Sequence, residues 1–195
     1  NHMLSFAAKK VCDGDPHLQG QYYKYGKIPG TEKDSLFERG LLYESPDKHS
    51  ELTHSGAARD WPDARSVYFR SRKTKSFAIW VNEEDHLQIV SRREDGNIPV
   101  LVRRLVTIVE KMEECLEEIG YEFMENPHLG YITSSPSKLG TGMKLAVECD
   151  LPYLSQCEDD LIELCKYRGI VVDKVPCESG DGGPRSSILK LTNKV

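Results

Sequence analysis

No apolar run in the 195 residues approaches the roughly 20 needed to cross a bilayer, and no basic-then-apolar segment opens the chain as a secretory signal does. These absences predict a soluble, cytoplasmic protein. There is no C-x-x-C pair and no Cys/His run at zinc spacing: Cys12, Cys115, Cys149, Cys157, Cys165 and Cys177 are scattered, so no metal site is expected. An even count of six is compatible with disulfides, but a chain this long with a full apolar complement does not need staples, and reduced, mostly buried thiols are expected. Positive charge is also short. Lys+Arg 26 against Asp+Glu 31 leaves −5, which supplies no broad surface for nucleic acid or anionic membrane, and neither is expected as a partner.

What is present is enough apolar residue, 38%, to bury one real core. Asn1-His2-Met3 has the look of a vector scar and is left out of the fold reading. Gly14, Pro16, Gly20, Gly26, Pro29 and Gly30 make residues 4–30 an extended or looped segment anchored by Tyr22, Tyr23 and Tyr25. Thr31 with Asp34 predicts a helix to about Gly40, and Ser45-Pro46 a second short one stopping near Gly56. Strands follow over Ser66–Ser71, Ser76–Asn82 and Leu87–Arg92, an antiparallel meander. Asn97 caps a long helix in which Ile98, Leu101, Leu105, Ile108, Met112, Leu116 and Ile119 recur at helical spacing until Gly120. Met143–Leu151 predicts a strand, Ser155 with Glu158 a capping box for a helix from Gln156 to Lys166, and Ile170–Val175 and Ser186–Thr192 two last strands around a Gly-rich loop, 178–187. The sum is an α+β fold on an antiparallel sheet, with residues 31–195 as its main domain.

Several stretches could carry chemistry. Asn82-Glu83-Glu84-Asp85-His86 leaves a strand with three carboxylates and an imidazole, which suits acid–base work or cation capture; a solvated turn is the ordinary alternative. Residues 57–75 hold six Lys/Arg against two Asp, a local +4 compatible with an anion site or with a paired structural loop around Trp61. Ser134 to Gly142 has the Gly and Ser content of a phosphate-cradling loop without the Walker pattern. The acidic stretch Glu110–Glu118 is either a partner surface or a solvated helix face.

Taken together and in order, Arg59-Asp60-Trp61-Pro62-Asp63-Ala64-Arg65, the run Phe77 to Leu87 ending in N-E-E-D-H-L, Asn126-Pro127-His128-Leu129-Gly130-Tyr131, and Pro136 through Gly142 closely resemble the catalytic domain of the phosphagen kinases, the creatine and arginine kinases. The likeness runs from about Gly20 to Asn193 and reads as truncated at both ends, without the small helical N-terminal domain and the last long helix. The resemblance implies a sheet flanked by helices and an activity that moves the terminal phosphoryl of ATP, with magnesium, onto a guanidino nitrogen.

It also implies a site in which arginines clamp the phosphates, because such transfer rests on positioning and charge neutralisation. Here the resemblance breaks. The S-x-R-x-R pair has no counterpart in residues 1–20; the arginine after N-E-E-D-H-L is Gln88; the one in L-G-T-x-R is Lys144, which keeps charge and loses the fork; the one in R-G-T falls on Asp173. The histidine of D-H-F-L-F is Gly40, that of V-H-I-K-L is Glu148, and an aspartate of the last strand is Lys190. The reactive cysteine before P-S-x-L-G-T is Ser135. Glu84 matches the carboxylate that holds the guanidinium, and Glu178 falls where arginine kinases carry a second one. Trp61, Trp80, Pro127, Gly130, Gly140 and Pro152 persist.

Losing one transition-state donor costs about 10²- to 10³-fold in rate, and several are gone. The expectation is therefore a catalytically inactive, phosphagen-kinase-like domain that binds no cofactor and acts as a protein-interaction or scaffold module, alone or self-associated. Two alternatives stay open: an arginine- or guanidinium-binding module using Glu84, Glu178, Ser135 and Lys144, and an ATP:guanidino phosphotransferase active with Mg-ATP only alongside further parts of a parent protein.

Overall fold

The run Ser76–Val81 has no polar alternation, as expected of a strand covered on both faces. In the computed structural model, which describes residues 2–43, 45–47, 51–54, 56, 58–70, 76–174 and 188–193, that expectation holds. The chain divides into two compact units, Asn1–Phe123 and Met124–Val195, where the sequence predicts one main domain over residues 31–195.

In the first unit β1 (Gln21–Lys24), β2 (Ser66–Arg70), β3 (Ser76–Val81) and β4 (Leu87–Arg92) form a four-stranded antiparallel sheet in sequence order. One face packs Tyr68, Phe77 and Ile79 against α1 (His2–Asp13) and the long helix α4 (Ile98–Glu117), through Ala7, Ala8, Cys12, Ile108, Met112 and Leu116. The other face packs Val67, Phe69, Ala78 and Trp80 under Tyr25, Leu36, Leu41 and Leu42, brought by the segment around α2 (Gly30–Glu38). A short α3 (Glu51–His54) follows. Asn97 caps α4 as expected, its Oδ1 accepting from the Val100 N–H at 3.2 Å.

The N-terminal segment corrects the sequence reading. Residues 4–13 are helical rather than extended, and α1 includes His2 and Met3, which the sequence reading set aside as a scar. The Gly and Pro residues that argue for a loop begin only at Gly14; before them Ala7, Ala8, Val11 and Cys12 recur at helical spacing and are buried. Lys10 pairs with Glu118 at 2.5 Å and Lys111 with Asp15, which ties the acidic end of α4 to this helix. Among the described residues the second short helix is confined to Glu51–His54, and Ser45–Asp47 is not helical.

The second unit holds the two-stranded β5 (Glu125–Asn126) and β6 (Gly130–Tyr131), then β7 (Ala146–Asp150), α5 (Glu158–Tyr167), β8 (Ile170–Lys174) and β9 (Ile188–Asn193), with sheet order β7-β9-β8, all antiparallel. Leu161 and Cys165 of α5 pack on Leu189, with Leu151, Ile170, Val172 and Leu191 around them. The capping box is not formed. Ser155 sits in a 3-10 turn, Leu154–Gln156, and donates to the Pro152 carbonyl at 3.1 Å, so α5 starts later, at Glu158, without a side-chain cap. Gly169, at φ 68°, ends it as expected.

All five described cysteines are free thiols; Cys12, Cys115 and Cys165 are buried and Cys157 is exposed. Burial pushes the Cys12 thiol up to about 12, so native-state alkylation at pH 8 is expected to label Cys157 and leave Cys12 unmodified until the chain is denatured, as mass spectrometry of the labelled peptides would show. The Lys111 ammonium, bonded to Asp15, and the His17 N–H hold that carboxyl below its ordinary value. Its contribution is present in full above the unfolded carboxyl range near 3.9 and is lost as pH falls through the folded value. Asp15→Asn is expected to lower stability at pH 7 by about 0.5–1 kcal/mol and to flatten the acid side of the stability curve, measured by urea unfolding at pH 7 and pH 3.

Candidate functional site

Strand β3 ends at Val81 and delivers the acidic turn. Asn82, at φ 61°, donates its N–H to the His86 carbonyl at 3.0 Å and closes the turn, and the Glu84 N–H donates to Glu83 Oε2 at 2.7 Å. Glu83, Glu84 and Asp85 are half-buried rather than fully solvated. Beside them Gln88, early in β4, is the register partner of Trp80.

Tyr43 joins these groups, and the sequence reading missed it. Its ring lies edge-on to Trp80 at 5.2 Å between centroids, its carbonyl accepts the Tyr25 hydroxyl at 2.9 Å, and a side-chain hydrogen bond links it to Gln88. Burial, then the negative charges of Glu83 and Glu84, push the Tyr43 phenol far above its ordinary value, so it stays a neutral hydroxyl. The Trp80 indole N–H, donated to the Leu41 carbonyl at 3.0 Å, fixes the chain just before Tyr43. Asn82 Oδ1 and Gln88 Oε1 are buried with no hydrogen-bond partner among the described residues. The local chemistry is thus acceptor-rich, two carboxylates and two amide oxygens, which fits a donor-rich cation such as guanidinium and disfavours a phosphate. Gly40 sits apart from this chemistry as the stop of α2, at φ 59°, its N–H donated to the Phe37 carbonyl at 2.9 Å.

The stretch 59–65 is structural. Arg65 stacks on Trp61 at 4.7 Å and donates to the Asp63 carbonyl at 3.1 Å, and Arg59 pairs with Asp60 at 3.5 Å in the open.

In the second unit Ser135 precedes a 3-10 turn, Pro136–Lys138, and its carbonyl accepts from the Thr133 hydroxyl at 2.8 Å and the Lys138 N–H at 3.0 Å. The backbone of this turn argues against the phosphate-cradle reading. The N–H groups of Lys138, Leu139 and Gly140 are taken by the carbonyls of Ser135, Pro136 and Tyr131, so they do not converge on a ligand. Gly140 lies against Gly130 so closely that a Cβ on Gly130 would sit 2.4 Å from the Gly140 oxygen, which is why Gly130 lacks one; at Gly140 a Cβ would have space, and its φ of 107° is what favours glycine. Lys144 is exposed and precedes β7, outside the strand expected from Met143.

Glu148, Lys190 and Asp173 form one row. Lys190 of β9 is the register partner of Glu148 on β7 and of Asp173 on β8, so the three side chains project from the same face with charges alternating minus, plus, minus. Glu178 lies outside the described residues. Among the described residues no group of three His, Cys, Asp or Glu could hold a metal ion, and no helix is long and apolar enough to cross a membrane.

Comparison with known proteins decides the family. The sequence matches the ATP:guanido phosphotransferase C-terminal catalytic domain over residues 3–180. The chain belongs to the phosphagen kinase family. It is 40% identical to the creatine kinase B-type of Gallus gallus over 155 residues, 80% of this chain and 39% of that one, and 40% identical to the creatine kinase M-type of Canis lupus familiaris over 153 residues, 78% and 39%. Its structure is similar to a lombricine kinase, with a TM-score of 0.83 and 27% identity, covering 98% of this chain and 51% of that one. The duplicated taurocyamine kinase of Schistosoma mansoni gives 0.80 and 26% over 98% of this chain and 25% of its own. This chain therefore spans about two fifths of the creatine kinases it matches.

The register of the second phosphagen-kinase sheet gives a test of its charge row. Lys190→Glu would put three acids side by side, where directly opposed like charges cost about 0.2–1 kcal/mol per pair. It is expected to lower the thermal midpoint by a few degrees, and adding Glu148→Lys is expected to restore part of the loss; an unchanged midpoint in the single variant would show that the row carries no coupling.

Proposed function

We propose that this phosphagen-kinase domain does not transfer a phosphoryl group and serves as a binding module, recognising guanidinium at the acidic turn and acting as a protein-interaction or scaffold element. The observation that carries this reading is Gln88. At the position where the family's N-E-E-D-H-L motif continues with arginine, a neutral amide is held by Tyr43 with its oxygen buried and without a hydrogen-bond partner among the described residues. Phosphoryl transfer depends on cations placed around the phosphates before the reaction starts. A buried acceptor at that place offers the opposite polarity. Within the second unit, considered by itself, Asp173 and Glu148 stand where the resemblance implies an arginine and a histidine, and Lys144 retains a charge without a fork. The residues present do not fit Mg-ATP, and no step is assigned through it.

Guanidinium recognition has its own support. Glu84 is in place, Glu83 is bent onto the backbone of the same turn, and the amide oxygens of Asn82 and Gln88 add acceptors. A planar guanidinium with five N–H donors matches such a set through charge-assisted bonds. A free arginine or an arginine side chain of a partner would supply it; the second source makes the domain a scaffold in the cytoplasm, alone or self-associated.

Isothermal titration separates the possibilities. Mg-ATP is expected to give no saturable heat up to millimolar concentration, and a coupled assay with creatine or arginine no turnover above background. Arginine or an arginine-bearing peptide is expected to bind, and Glu84→Gln to weaken it at least tenfold. Micromolar Mg-ATP binding would overturn the loss of transfer, and an unaltered affinity in Glu84→Gln would remove the guanidinium assignment.

A further inference from the structure

Helix α5 of the second unit buries Leu161 and Cys165 against its sheet, and its opposite face has no cover among the described residues. On that face Asp160, Glu163, Leu164 and Tyr167, at i, i+3, i+4 and i+7, line an open hollow of about 340 Å³. Leu164 is 59% exposed and Tyr167 90%, a large apolar area for a helix of ten residues. The turn before the helix adds Tyr153 and Leu154, also exposed. Four residues at this spacing make the hole into which a side chain of a facing helix fits as a knob.

Charge says which helix. Asp160, Leu164 and Arg168, the residue that closes α5, stand four apart and form one ridge, with an acid at its start, a leucine at its middle and a base at its end. All three are exposed, and among the described residues neither the Asp160 nor the Arg168 side chain has a hydrogen bond or an ion pair. Such a ridge is its own complement. Turned about a two-fold axis at Leu164, a second copy sets leucine on leucine and brings each Asp160 opposite an Arg168, about 6 Å to either side along the helix. A parallel pair would set acid on acid and base on base. The same polarity suits the dipole of α5 within one chain, and the antiparallel pair uses it again between two.

We infer that the outer face of α5 is a self-association surface whose occupant is a second copy of this chain, packed antiparallel across a two-fold axis, with Leu164 and Tyr167 at its centre and Asp160 paired with Arg168 at both ends. A contact confined to one helix of ten residues is small beside the roughly 1,200–2,000 Å² of a stable interface, so the dimer is weak and forms reversibly with concentration. The inference rests only on the self-association part of the proposed role, and guanidinium binding at the acidic turn stands or falls separately.

Sedimentation velocity of the full chain from about 10 μM to about 1 mM tests this. A monomer–dimer equilibrium is expected, and Leu164→Gln, Asp160→Arg and Arg168→Asp are each expected to weaken it at least tenfold. An equimolar mixture of the Asp160→Arg and Arg168→Asp variants is expected to dimerise where neither does alone, because each chain then meets an opposite charge at both ends. Thermal midpoints show whether the charge reversals stay folded; if they do not, Leu164→Gln, which alters one exposed side chain, carries the comparison. That variant is expected to bind arginine as the unsubstituted chain does, which separates this surface from the acidic turn. Monomer at every concentration, which would leave the face to a different protein or to a further part of a longer chain, overturns the proposal. So does a dimer that the variants leave unaltered, or a mixture of folded variants that stays monomeric.

Discussion

Covering a β-hairpin on both faces removes its freedom to slide, because a slip of one residue would carry every side chain to the wrong layer. β2 and β3 are such a pair, with Tyr68, Phe77 and Ile79 under two helices and Val67, Phe69, Ala78 and Trp80 under the wrapping segment of residues 25–42. Both ends of the hairpin inherit that fixed register. At one end the chain leaves Val81 into the acidic turn and returns at Leu87 with Gln88 opposite Trp80. At the other, Arg70 and Arg92 are held beside the first residues of β3. The chemistry of the first unit is set by which side chains occupy these two ends.

Those ends carry different groups. The turn end presents carboxylates and amide oxygens around a neutral tyrosine, and the far end presents guanidinium groups, one of them bonded to Asp95. In the second unit opposite charges are neighbours, since Lys190 stands between Glu148 and Asp173.

The sequence carried β2, β3, β4 and α4 plainly, because each has an apolar pattern long enough to identify its period and α4 has Asn97 as a cap. α1 is less legible, since its buried face is only Ala7, Ala8, Val11 and Cys12 and the glycines and prolines that follow from Gly14 dominate the local composition. The sequence did not carry β5 and β6, two residues each, which depend on the approach of Gly140 to Gly130 and have no local pattern. Glu84 and Gln88 were legible as members of one motif. Tyr43 was not, because its part comes from the segment after α2 folding back over Trp80. For Ser134–Gly142, composition reports which N–H groups exist, and only the hydrogen bonds report that those of Lys138, Leu139 and Gly140 are already taken.

The cross-strand row also constrains how the chain could change. The resemblance to the kinases implies histidine, aspartate and arginine where this chain has Glu148, Lys190 and Asp173, an alternation of the opposite sign. Asp173→Arg alone would set two cations shoulder to shoulder, and Lys190→Asp alone would line up three anions. Each such single substitution meets a less stable arrangement, so a change of sign on one strand of this sheet calls for matching changes on its neighbours.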